Sequence, residues 1–152
     1  MANLIAGNLT VSGTITCDNV TSVSGTVQFA VHHKQVSGAD VASKSEVVHI
    51  ARAAGTIVAV QVSAETAPTG GDKQFTVDLH KGSQSAAYAT TLSAVVTYDD
   101  ASTADKQVLS GTLSTTTYAA GDQLKVIVTA SGTTGSQGQD LCVTVWLREN
   151  PA

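Results

Sequence analysis

The chain has 152 residues, a charged fraction of 13% and a formal net charge of −4. An acidic chain without a basic run lacks the electrostatic footprint of a nucleic-acid binder, and no apolar segment approaches the ~20 residues that span a bilayer. Val, Thr, Ser, Gly and Ala fill much of the rest, which favours strands and turns over helices, and the length suffices for one domain with a core.

Residues 1–25 read as a separate unit, an extended N-terminal arm. Leu4, Ile5, Leu9, Val11 and Ile15 are set among Gly, Ser, Thr and Asn, and Leu9, Val11, Ile15 and Cys17 alternate as in a strand. These apolar residues are too sparse to bury a core alone. The arm is therefore expected to order only against a partner surface. No basic region followed by an apolar core opens it, so no signal peptide is expected. Asn8-Leu9-Thr10 and Asn19-Val20-Thr21 match the glycosylation triplet, a match that means little without a secretion signal.

Residues 26–152 form the body. Val27, Phe29, Val31 and His33 alternate with polar or small residues and predict a first strand, and a second follows over Glu46–Arg52. Ile57 to Val62 is a β-branched run inside a strand predicted for Thr56–Ala64. Pro68, Gly70 and Gly71 mark a loop. Phe75, Val77 and Leu79 then alternate with Thr76, Asp78 and His80, giving a strand over Lys73–Lys81 with one dry face and one wet face. Further strands are predicted over Thr91–Tyr98, Gln107–Ser114, Gln123–Ala130 and Asp140–Arg148, separated by an acidic loop at Asp99–Asp105, a Gly121-Asp122 turn and a Gly- and Ser-rich loop at Ser131–Gln139. About eight strands with regular turn signals predict a single antiparallel β-sandwich, with the strand count of a jelly roll. In the last strand Leu141, Val143, Val145 and Leu147 belong to the core side. Trp146 then lies on the outer face, where an indole often marks a subunit contact.

Chemistry is sparse. His33, His49 and His80 on neighbouring strands could converge on zinc, but strand neighbours such as His32 and His33 point to opposite faces. The expected reading is surface or interface histidines and no metal. Asp78 and His80 share a face two residues apart, yet no nucleophile elbow accompanies them. Asp99, Asp100 and Asp105 lack the spacing of an EF-hand, and Lys81-Gly82-Ser83 has the wrong order for a phosphate loop. Cys17 and Cys142 fit no metal or redox spacing and read as reduced thiols. No catalytic residue and no cofactor are expected.

The stretches GTIVAVQVSAETAPTGGDKQFTVDLHKG, TTLSAVV, TYAAGDQLKVIVTASGTTG and LCVTVWLRENP resemble the jelly-roll decoration, or cement, proteins of tailed-bacteriophage capsids. NLTVSGTITCDNVTSVSGTV resembles segments that open phage structural proteins. The likeness lies in texture and turn placement over about Ala53–Pro151. It implies a non-enzymatic homotrimer on the capsid surface of a virion, made in the host cytoplasm and held to the major capsid protein by its arm. Leu4, Ile5, Leu9, Val11 and Ile15 would then be capsid contacts, and Trp146 a subunit contact. The alternative expectation is a trimeric head-fibre or tail-fibre receptor-binding domain.

Overall fold

A computed structural model describes residues 27–101 and 103–149. The arm, with Leu4, Ile5, Leu9, Val11, Ile15 and Cys17, lies outside the described residues, as does its junction with the body. The described chain is all-β: β1 (Val27–Lys34), β2 (Lys44–Ile50), β3 (Gly55–Ser63), β4 (Gln74–Gly82), β5 (Ala89–Thr90), β6 (Val96–Asp99), β7 (Leu109–Gly111), β8 (Thr117–Tyr118), β9 (Gln123–Ser131) and β10 (Cys142–Glu149). They form two antiparallel five-stranded sheets packed into a sandwich. The first sheet has the order β1-β10-β3, with β7 and β8 both on the far side of β3. The second has the order β2-β9-β4, with β5 and β6 both on the far side of β4.

The core follows from strand alternation. Phe75, Val77 and Leu79 of β4 and their neighbours Val126 and Val128 of β9 line one side of the core, and Val143, Val145 and Leu147 of β10 line the other, all 2% exposed or less. The rings of Phe75 and Tyr98 stack with centroids 5.0 Å apart. The Tyr98 hydroxyl donates to the carbonyl of Gln107, and burial raises its pKa above the ordinary tyrosine value. Val77 and Leu79 point inward, and Thr76, Asp78 and His80 outward, as the alternation predicts.

Two predicted strands are each cut short. Of Thr91–Tyr98 only β6 remains, with β5 just before its start, and of Gln107–Ser114 only β7 remains, with β8 further on. Between the pieces the chain leaves its own sheet to bond the other one. Thr91 N–H and Oγ1 still donate to Leu79 O, at 2.7 and 2.8 Å. Ser93 N–H, however, donates to Thr112 O at 2.9 Å, and Ser114 N–H to Thr91 O at 2.8 Å. Leu92 and Leu113 form an isolated bridge between them. Backbone hydrogen bonds therefore close this side of the sandwich. A period-2 pattern cannot reveal such a crossing, because the residues stay apolar while their partners change.

Two β-bulges re-aim side chains. On β3 the register against β10 slips at Trp146/Leu147, leaving Val58 as the extra residue, 41% exposed. On β2 the register against β9 slips between Val47 and His49. This places His49, rather than Val48, opposite the inward-facing Leu124. Lys44 and Glu46 lie opposite Val128 and Val126, on the same inward row.

The loops sort to two ends. Residues 35–43, 64–73, 100–108 and 132–141 gather at one end: Asp40 and Thr66 both bridge Gln139, Thr69 bridges Ser136, and Lys106 N–H donates to Ala64 O. β1 begins and β10 finishes at the other end, beside Gly55 and Tyr118.

The register makes a sharp prediction. Val77→Asp buries an unpaired carboxylate and should cost at least about 3 kcal/mol or prevent folding. Thr76→Asp, one residue away on the outer face, should stay within about 1 kcal/mol of wild type. Urea denaturation of both variants checks this. Equal melting of the two would contradict the register.

Candidate functional site

The outer face of the first sheet is unusually plain. β10 presents Cys142, Thr144, Trp146 and Arg148, and β1 presents Gln28, Ala30, His32 and Lys34 beside them. Trp146 sits in register between Ala30 on β1 and Ala59 on β3. Two alanines cannot cover an indole, so the ring stands proud, 36% exposed. Its Nε1–H donates to Gln61 Oε1 at 3.1 Å, which fixes the ring in place. Val58 lies one bulge away on the same sheet. The only formal charges on these outward rows are the cations Lys34 and Arg148, near opposite ends. The face thus presents one fixed aromatic among small neutral residues. Cys142 is a free thiol on this face, with Sγ 4.0 Å from Thr144 Oγ1.

The loop end is zipped, not floppy. Asp72 Oδ1 accepts the N–H groups of Thr134 and Thr133 at 2.7 and 2.8 Å. Those two donors hold its carboxyl below the ordinary aspartate value. Glycine is required where the loops touch: a Cβ on Gly135 would lie 1.7 Å from Gly70 O, and one on Gly132 would lie 2.2 Å from Asp72 O. Both have positive φ as well. Asp105 Oδ1 accepts the N–H of Ala67 at 2.7 Å, so its carboxylate ties the loops together.

The histidines do not converge. Three have their own carboxylates: His33 Nδ1 is 2.6 Å from Glu46 Oε2, His49 Nε2 is 2.8 Å from Glu149 Oε1, and His80 Nε2 is 2.9 Å from Asp78 Oδ2; His32 Nδ1 instead lies 3.1 Å from Thr144 Oγ1. Among the described residues no group of three or more His, Cys, Asp or Glu is placed to hold a metal. The expectation of surface histidines needs correction for His33, which is 1% exposed and has no partner at Nε2. It fills the inward row of β1, where its phase in the alternation puts it. The first two pairs join β1 or β10 of one sheet to β2 of the other. They fasten the open side of the sandwich, where no backbone bridge between β1 and β2 exists among the described residues. Glu46 and Glu149 were invisible as partners in the sequence, because the β2 bulge decides which residues of 44–50 face inward.

Asp78 and His80 are paired as their spacing suggests. Asp78 also accepts Thr90 Oγ1 at 2.6 Å. One carboxylate thus holds both the imidazole and the hydroxyl of the register partners His80 and Thr90. At the end where β1 begins, Phe29, His49 and Tyr118 pack together, with centroids 5.4 and 6.1 Å apart. Burial and then the nearby Glu149 push the Tyr118 phenol up to about 12. An open cleft of about 420 Å³ at this end is lined by Ser83, Gln84, Ser85, Tyr88 and Gln123, with no charged group.

No protein-family model matches the chain, and no curated protein or solved structure is significantly similar to it.

The Glu46 pair gives a pH prediction. The hydrogen bond to His33, and then Lys44, holds the Glu46 carboxyl below its ordinary value of 4.5. A depressed folded-state pKa contributes stability above the unfolded value, lost as pH falls through the folded value. Thermal melts from pH 6 to pH 3 should show the wild type losing more stability below about pH 4.5 than Glu46→Gln does. Parallel losses would remove Glu46 from the account.

Proposed function

We propose that this chain is a decoration, or cement, protein of a tailed-phage virion, a non-enzymatic structural protein that binds the outside of an assembled capsid. The observation that carries the proposal is the pairing order. Counting β5 with β6 and β7 with β8 as interrupted single strands leaves eight, and their pairing is nested: first with last, second with next to last, inward to the turn between the halves. That order supports a jelly roll, the fold of the proteins the sequence resembles. The exposed, pinned Trp146 on a nearly uncharged face supports self-association, and we read the assembly as a homotrimer.

The mechanism is a clamp. Each copy would bury surface on more than one subunit of the major capsid protein, so expansion or rupture of the shell must break those contacts. A ligand that binds the closed shell and not its loose subunits stabilises the shell by mass action. Three linked copies multiply weak contacts through effective concentration. The anchor is the arm, with Leu4 and Ile5 near its start covered by the shell. The reading gives no part to a metal, a cofactor, nucleic acid or membrane.

Light scattering should report a trimer at micromolar concentration, and Trp146→Ala should weaken it by about 2 kcal/mol per contact, roughly thirtyfold in Kd. A monomeric wild type would contradict the assembly.

Deleting Met1–Ser24 should leave circular dichroism that of a folded sandwich while abolishing co-sedimentation with undecorated capsids. If the folded truncation still saturates capsids at the same concentration, the arm is not the anchor. Wild-type binding to host cells instead of capsids would favour a fibre domain.

A further inference from the structure

Of the sandwich edges, only β1 is both long and regular. β2 carries a bulge and places Lys44 and Glu46 on its inward row, devices that discourage strand addition. On the opposite side the edges are short: two residues in β5 and β8, three in β7 and four in β6. β1 instead pairs with β10 without a slip from Val27↔Glu149 to Lys34↔Cys142, and no described strand bonds its other side. It has no Pro and no bulge, and its one formal charge, Lys34, is at its end. Its inward row is also incompletely covered. Val27 is 56% exposed, and Phe29 and Val31 are only partly buried, while Val143, Val145 and Leu147 beside them on β10 are fully buried.

We propose that Leu9–Cys17 of the same chain adds to this edge as an antiparallel strand. Its nine residues match the eight of β1 in length. Leu9, Val11, Ile15 and Cys17 share one face, and Thr10, Ser12, Thr14 and Thr16 share the other. That is the dry and wet pattern an edge strand needs, with the apolar row covering Val27, Phe29 and Val31. The segment is tied to the edge it completes: residues 18–26, containing Gly25, lead directly into Val27. That connection reaches up to about 30 Å, enough to lay the segment back along β1. A short tether gives an effective concentration in the millimolar range, which favours the segment's own β1 over a neighbour's. The antiparallel sense carries residues 1–8 toward the Lys34 end, where the loops gather and Val36 is 76% exposed. On the capsid reading above, Leu4, Ile5 and the zipped loops would then meet the shell together. The strand addition itself does not depend on that reading and is tested in free protein.

The test is residue-resolved hydrogen exchange on the full chain, comparing wild type with Val11→Pro/Ile15→Pro. Proline removes ladder donors without touching the body. In wild type, all β1 amides should be protected. In the variant, those pointing away from β10 should exchange at least about tenfold faster, with β3 and β10 unchanged. Fast exchange at these amides in wild type, or no change in the variant, overturns the proposal. Mild oxidation of Val27→Cys in a Cys142→Ser background should join the new thiol to Cys17 within one chain, seen as a faster monomer band on a non-reducing gel. An interchain dimer, or no product, overturns the same-chain pairing.

Discussion

The whole molecule hangs on the insertion of β10 between β1 and β3. This strand supplies three fully buried aliphatic residues in one row, Val143, Val145 and Leu147, beside the equally buried Val60 and Val62 of β3. The same register turns Trp146 outward between two alanines and brings Glu149 to His49. It also fixes the end of the 132–141 loop, which zips onto residues 64–73. Pairing the two ends of the described chain joins contacts of large sequence separation, so the core closes only when β10 docks.

The sandwich is closed unequally on its two sides. Beyond β5 and β7 the backbone crosses from sheet to sheet through Ser93, Thr112, Ser114 and Thr91. Beyond β1 and β2 the link is made by side chains, His33 with Glu46 and His49 with Glu149. Backbone closure carries no ionisable group, whereas the His33–Glu46 link uses a carboxyl held below its ordinary value. The unequal closure also leaves β1 as the regular open edge.

Much of this was legible in the sequence. The alternation in Gln74–Gly82, Gln123–Ser131 and Cys142–Glu149 set the inward rows correctly, because a half-buried strand has a fixed period of two. The all-β class followed from composition and turn spacing. The bulges at Val48 and Val58 were not legible, since a slip in register shows only against a partner strand. For the same reason Glu46 and Glu149 could not be matched to their histidines. The breaks in Thr91–Tyr98 and Gln107–Ser114 were hidden because Leu92 and Leu113 keep an apolar pattern while bonding across the sheets. Trp146 was legible as outward-facing from its phase alone. The alanines that leave it exposed became visible only with the register.

The central claim is that this sandwich makes an assembled shell harder to open. The most direct measurement heats undecorated capsids with and without saturating protein and counts intact particles at each temperature. The account predicts a higher opening temperature that rises with free protein concentration, as linkage requires; at a hundred times Kd the gain per independent site is about 2.7 kcal/mol. Saturated capsids that open at the same temperature as bare ones would contradict it.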